Sequence, residues 1–214
     1  MGTTTSYDQR ILEKCRTLGT STLYEASGIS TASVDARIRT VWQGASIAGP
    51  AYPLECSPGD NLSIHIAMER VPRGSVLVVS TGGLILGYWG EVLTVAAEAA
   101  GVVGLIIDGG VRDIAALVAR RFPVFARGVS MRGTTKASSQ SVGRWISFAG
   151  TPVDVGDLVV ADDDGVLILP AEHALRTIDD GQARADKEVR MMNELREGRS
   201  TLELMALTRW REVR

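Results

Sequence analysis

The sequence predicts an α/β fold with a helical C-terminal extension. From Ser75 to Arg127, strand-length apolar runs alternate with helical stretches, the pattern of parallel β-α-β units. From Trp145 onward the pattern changes to short strands separated by turn signals. Glu172–Leu207 is then polar and helical. No internal repeat, low-complexity linker or charge block divides the chain, so residues 1–214 read as one domain, with 172–214 as its extension.

Taken in order, Tyr7–Leu18 reads as a helix with Ile11, Leu12, Cys15 and Leu18 on one face. Thr22 and Glu25 have capping-box spacing and Gly28 reads as a helix stop, which predicts a short second helix. Ser46–Cys56 is extended and contains Pro50 and Pro53, which suits an edge or bulged strand. Ser57-Pro58-Gly59-Asp60 is a turn, Asn61–Arg70 a short helix, Ser75–Ser80 a buried strand and Thr81-Gly82-Gly83 a loop.

Glu91–Ala100 is an Ala-rich helix stopped by Gly101. Gly104–Asp108 is a strand that Gly109 and Gly110 are expected to break. Asp113–Arg121 is a helix with Asp113 near its first turn, and Phe122–Arg127 a strand. Trp145–Ala149, Thr151–Val153 and Asp157–Pro170 are short strands, the last a hairpin turning at Asp162-Asp163-Asp164-Gly165. The C-terminal helix breaks near Gly198, with Leu195, Leu202 and Met205 as its apolar contacts.

Composition narrows the function. At 45% hydrophobic and 22% charged residues the chain resembles an ordinary globular protein. A net charge of −2 gives general nucleic-acid binding no electrostatic support. Cys15 and Cys56 lack metal or redox spacing and fit a reduced, cytoplasmic protein. No apolar run approaches the roughly 20 residues of a membrane span. MGTTTS matches an N-myristoylation pattern at Gly2, a short pattern that recurs by chance.

Of 23 basic residues only Lys14, Lys136 and Lys187 are lysines, so Schiff-base candidates are few, and Lys136 is the one considered. It reads as structural or electrostatic. His65, among Ile64, Ile66 and Met68, reads as a satisfied structural histidine, and His173 as a surface residue. Asp162–Asp164 lack a calcium-loop pattern and read as a turn. Gly82 and Gly83 read as a turn, without phosphate-loop spacing.

The chemistry concentrates at GLIIDGGVRD, Gly104–Asp113, and at GYWGEVL, Gly87–Leu93. Arg112 can grip a carboxylate bidentately and Asp113 can hold a hard divalent cation. Gly90–Leu93 opens a helix, and a helix N-terminus offers backbone N–H groups to an anion. Together they suit a small, metal-chelating carboxylate.

These residues resemble the family that contains regulator of ribonuclease activity A and the class II 4-hydroxy-4-methyl-2-oxoglutarate aldolases. The matching segments, in order, are AGPAYPLECSPGDNLSIH, SVLVVSTGG, WGEVLTVAAEAAGVVGLIIDGGVRD, FPVFARGVSMRGTTKA and VDVGDLVVADDDGVLILP. The resemblance implies a swivelling β/β/α fold and a homotrimer, sometimes doubled to a hexamer, with sites between subunits. It implies that the backbone at Gly90, Glu91, Val92 and Leu93 binds a pyruvate moiety, that Arg112 binds substrate, and that Asp113 binds magnesium or manganese.

Two positions depart from the pattern. Ala116 stands where the family's aldolases usually carry an acidic residue that holds the metal's waters, and Gly90 stands near where many members have Asp. The implied activity is a retro-aldol cleavage of a 4-hydroxy-2-oxo acid to pyruvate, with oxaloacetate decarboxylase activity. The alternatives are a protein-binding regulator of the ribonuclease-inhibiting branch, or the same metal-enolate site used on a different substrate. No His or Lys is well placed in sequence as the aldol base. A metal-bound water is the better candidate, assisted by Glu188 or Glu194 of a neighbouring subunit.

Overall fold

A computed structural model describes residues 7–213; the MGTTTS motif lies outside them. The elements follow the expected alternation. Helix α1 (Gln9–Ser27) leads into β1 (Arg39–Thr40), β2 (Ile47–Glu55), α2 (Leu62–Met68), β3 (Val76–Ser80), β4 (Gly87–Trp89) and α3 (Glu91–Ala100). Then come β5 (Gly104–Val111), α4 (Ile114–Arg120), β6 (Val124–Val129), β7 (Ile146–Phe148) and β8 (Thr151–Val153). The chain closes with β9 (Leu158–Asp162), β10 (Gly165–Leu169), α5 (Ala171–Arg196) and α6 (Thr201–Leu204).

Eight strands form one sheet in the order β1-β6-β5-β3-β2-β9-β10, with β4 added beside β5. The β2–β3, β3–β5, β4–β5 and β5–β6 pairs are parallel, as the β-α-β reading requires. The β2–β9, β9–β10 and β1–β6 pairs are antiparallel. Arg39 on β1 donates to the Asp164 carbonyl beside β10 at 2.8 Å, so the sheet's two ends nearly meet in a barrel-like curl.

Side-chain alternation along each strand feeds a different core on each face. Leu77, Val79, Leu105 and Ile107 pack under the helices α2–α4, while Val76, Val78 and Ile106 enter the sheet's interior. On β9 and β10, Val159, Ala161, Val166 and Ile168 enter that same interior, while Leu158, Val160, Leu167 and Leu169 pack against α1 and α5. Strands buried on both faces read as continuous apolar runs. SVLVVS and GLII are such runs.

Three expectations are corrected. First, the expected second helix is present, set off from the first by the non-helical Gly19 (φ 77°, ψ 164°), but Thr22 does not cap it. The cap comes from far along the chain: Asp162 accepts from Thr20 N–H at 2.8 Å and from Thr20 Oγ1 at 2.6 Å. Gly28 does stop the helix, at φ 64°.

Second, β2 is an inner strand rather than an edge. Its first half pairs with β9 and its second with β3, and the partner changes after Pro50. Pro53 accepts from Gly143 N–H at 2.9 Å. A residue's N–H and C=O point to the same side of a strand, so the missing Pro53 N–H faces the Gly143 loop and costs the β3 ladder nothing.

Third, Gly109 and Gly110 do not end β5, which runs on to Val111. They let it pass tightly beneath the preceding loop: a Cβ on Gly110 would stand 2.6 Å from the Leu86 carbonyl oxygen. The register slips between Ile107 and Gly110 as the strand does so.

The C-terminal extension begins with α5, whose buried Ala174, Ile178 and Gly181 pack against α1. A Cβ on Gly181 would lie 3.1 Å from Leu23 Cδ2, so the helices meet closely there. Leu195 and Leu202 are half-buried and Met205 is exposed in the single chain. Among the described residues no helix is long and apolar enough to cross a membrane, and both cysteines are free and buried.

Asp162→Ala removes both hydrogen bonds to Thr20 and leaves the second half of α1 uncapped. It is expected to destabilise the fold by about 1–3 kcal/mol, read as a lower denaturation midpoint. An unchanged midpoint would show that Asp162 is dispensable to the kink.

Candidate active site

The site is built where β5 meets α4. Arg112 is tied down by its backbone N–H, which donates to the Trp89 carbonyl at 2.8 Å. Asp113 follows in the left-handed region (φ 57°, ψ 38°), a conformation in which Asp is among the better-tolerated residues. Instead of capping its own helix, Asp113 turns its carboxylate across to the N-terminus of α3. There Oδ2 accepts from Glu91 N–H at 3.0 Å.

Gly90 explains how the carboxylate gets so close. Its φ of −165° is open to any residue, but a Cβ there would collide with Asp113 Oδ2 and sit 3.0 Å from Arg112 Cγ. Gly87 has the same kind of role: a Cβ would stand 2.7 Å from the Ser130 carbonyl oxygen and 3.1 Å from Arg112 Cδ. The indole of Trp89 then fixes the helix start, donating to Thr94 Oγ1 at 2.7 Å, while that hydroxyl donates to the Gly90 carbonyl at 3.1 Å.

The expected residues therefore do converge. Arg112 Nε lies 4.0 Å from Asp113 Oδ2, with both side chains close to half exposed. A pair that loose and solvated contributes little to stability. Among the described residues Asp113 Oδ1 and the guanidinium make no other hydrogen bond. Asp113 has taken the Glu91 N–H, which leaves the Val92 and Leu93 N–H groups as the open donors of α3.

Glu91 offers only its backbone, because its carboxylate pairs with Arg120 Nη2 at 3.2 Å. Ala116 lies on α4, one turn past Asp113, and presents a methyl group. Glu188 and Glu194, the expected assistants from a neighbouring subunit, pair with Arg184 and Arg199.

The site also holds residues that sequence reasoning did not place there. A cleft of about 210 Å³ is lined by Arg112 and Asp113 together with Asn61, His65 and Lys136. Asn61 Nδ2 donates to the Tyr88 carbonyl at 2.9 Å, while its Oδ1 is buried without a partner. His65 Nε2 is also buried without a partner, so the expectation of a satisfied structural histidine is corrected. Leaving such an atom unpaired costs about 1–3 kcal/mol. Burial, and after it the charge of Lys136, pushes the His65 pKa below its ordinary 6.5. Asn61 and His65 stand four apart at the start of α2, a spacing that puts both on one face and could have flagged them.

Lys136 reaches the cleft because Asp60 holds its loop. Asp60 Oδ2 accepts from Thr135 Oγ1 at 2.8 Å, Ala137 N–H at 2.5 Å and Ser138 N–H at 3.2 Å. Burial alone would raise the Asp60 pKa, but these donors and the Leu62 N–H outweigh it and hold it at about 2. A depressed carboxylate pKa stabilises the fold fully above the unfolded value near 3.9. That contribution is lost as pH falls toward the folded value of about 2.

His173 is exposed at the start of α5, as expected. Asp162–Gly165 form the β9–β10 turn, and Asp162 is committed to Thr20. Asp60→Asn mimics the protonated state. It is expected to speed amide hydrogen exchange at residues 135–138 at neutral pH while the sheet stays protected, and equal exchange in both proteins would contradict the anchoring role. Gly90→Ala would push the Asp113 carboxylate off the Glu91 N–H.

Residues 20–168 match the family model described as RraA-like, Aldolase/RraA. A Halalkalibacterium halodurans protein named "Putative 4-hydroxy-4-methyl-2-oxoglutarate aldolase" is 31% identical over 72% of this chain and 74% of its own length. Protein DlpA of Legionella pneumophila is 30% identical over 90% of this chain, which spans only 32% of DlpA. An uncharacterized protein from Pseudomonas syringae has a crystal structure that superposes with a TM-score of 0.80 at 29% identity, covering 94% of this chain and 98% of that one. The matched segment carries the sheet, the Arg112–Asp113 corner and the start of α3, and the chain belongs to the RraA-like family that contains the aldolases and RraA.

Proposed function

We propose that the protein is a divalent-metal-dependent lyase that cleaves a 4-hydroxy-2-oxo acid to pyruvate and also decarboxylates oxaloacetate. One observation carries this reading: a carboxylate, a guanidinium and open helix N–H groups meet at one small cleft. The donor set fits magnesium or manganese. Among the described residues Asp113 Oδ1 is a hard oxygen without a partner, and Gly90 leaves room for the other oxygen, Oδ2, on the Glu91 N–H. Magnesium is held by few protein ligands and keeps several waters, so a single carboxylate suffices.

The bound cation supplies Lewis acidity at the keto oxygen of a 2-oxo acid. The protein's own groups do the rest. The Val92 and Leu93 N–H groups take the substrate carboxylate, helped by the positive end of α3. Arg112 fixes the plane of the 2-oxo acid and places positive charge where negative charge develops on the enolate oxygen. Gly90 allows the backbone to approach the ligand. Glu91 takes part through its backbone.

Ala116 favours a variation on this reading, in which the same site serves a different 2-oxo acid. Without a carboxylate there, the waters around the cation lose a hydrogen-bond acceptor, a change typically worth about 10–100-fold. The working assembly is a homotrimer, single or doubled. In its support, Val92 is 80% and Met131 90% exposed, with Leu84, Ile85 and Val129 also exposed on the same chain.

Purified protein is expected to release pyruvate from oxaloacetate or 4-hydroxy-4-methyl-2-oxoglutarate with magnesium or manganese, and to stop on chelation. Asp113→Ala is expected to lower the rate by roughly 100-fold or more. Ala116→Glu is expected to raise cation affinity by up to about 10-fold. Folded, metal-supplied protein inert toward both substrates would move the assignment to another enolate chemistry or to a binding role.

A further inference from the structure

The cleft has a group that the lyase reading leaves unused. His65 lines the same 210 Å³ space as Arg112 and Asp113, and its Nε2 is buried without a hydrogen-bond partner. Buried polar atoms are nearly always paired, so an exception inside a ligand cleft asks for a ligand.

The other titratable groups lining the cleft are Asp113, Tyr88, Arg112 and Lys136. Asp113 is tied to the Glu91 N–H and the cation position. The Tyr88 hydroxyl accepts from Gly59 N–H at 2.7 Å, and burial raises its pKa above 10. Arg112 and Lys136 contribute positive charge. His65 is left as the neutral nitrogen base of the cleft, and Asn61, one helical turn earlier, braces the wall through Tyr88.

We propose that His65 is the proton-transfer residue of this site, working through Nε2. The proposal rests on the lyase reading and deepens it. In the retro-aldol direction Nε2 takes the proton of the C4 hydroxyl. The C4–O bond becomes a carbonyl, the C3–C4 bond breaks, and its electron pair stays with the pyruvate enolate. The imidazolium then returns the proton to C3, forming the methyl group, so no further reactant is needed. Run on pyruvate alone, Nε2 removes a methyl proton, exchanges it with solvent and returns a deuteron from D2O. Burial, and after it the charge of Lys136, disfavours the imidazolium and keeps the imidazole ready to accept.

The test is NMR-followed deuterium exchange of the pyruvate methyl group in D2O with magnesium, comparing wild type with His65→Gln. The expected result is exchange in wild type and a fall of about 10²–10⁴-fold in the variant. Pyruvate affinity and melting temperature should stay near wild type, which a merely structural histidine would not permit. His65→Asn, with a smaller side chain, replaces the Gln variant if that fails to fold. Exchange in a folded His65 variant at the wild-type rate would overturn the assignment and leave the lyase reading standing. Wild-type protein that binds pyruvate and metal without exchange would overturn both.

Discussion

The hydrogen bond from Glu91 N–H to Asp113 Oδ2 is the contact on which the site depends. It joins the end of β5 to the start of α3, elements otherwise linked through the sheet. It also sets how the two can be used. One carboxylate oxygen is held while the other stays open, and one helix N–H is taken while the next two stay free. The contact exists only because position 90 has no side chain, so the family departure there is a geometric requirement of this chain. The left-handed backbone at Asp113 is held in place by Arg112 behind it, bonded to Trp89, and by α4 ahead of it.

The rest of the fold holds that corner still. β5 is buried along its whole length, with Leu105 and Ile107 on one face and Ile106 on the other, so its end cannot shift without disturbing two cores. Trp89 stacks on Phe122 with centroids 6.1 Å apart and also bonds Thr94, which couples the helix start to the same core. The rest of the cleft hangs on Asp60, whose carboxylate gathers the loop that carries Lys136. A rigid corner and a strapped loop thus line the same cleft.

Much of this was legible in the sequence. Arg112–Asp113 and Gly90–Leu93 each stand at a strand or helix end marked by glycine, so local pattern found them. Buried strands were visible as apolar runs. What was missed depended on distance. The cap on the second half of α1 comes from Asp162, and Lys136 enters the cleft through a contact to Asp60 that spans 75 residues. The short strands β1 and β4, of two and three residues, carry no usable period. Gly109 and Gly110 misled because glycine signals both a strand break and a close approach, and here the neighbouring Leu86 backbone decides between them. His65 looked structural because its neighbours in sequence are apolar; its unpaired nitrogen becomes visible only in three dimensions.

Asp113, Arg112 and the α3 amides are proposed to bind one metal-chelated 2-oxo acid. The most direct test is a crystal grown with manganese and oxalate, a mimic of the pyruvate enolate, with the metal located by its anomalous signal. Manganese is expected on Asp113, with the oxalate reaching the Val92 and Leu93 N–H groups and the Arg112 guanidinium. Manganese absent from Asp113, or oxalate bound away from α3, would contradict this assignment.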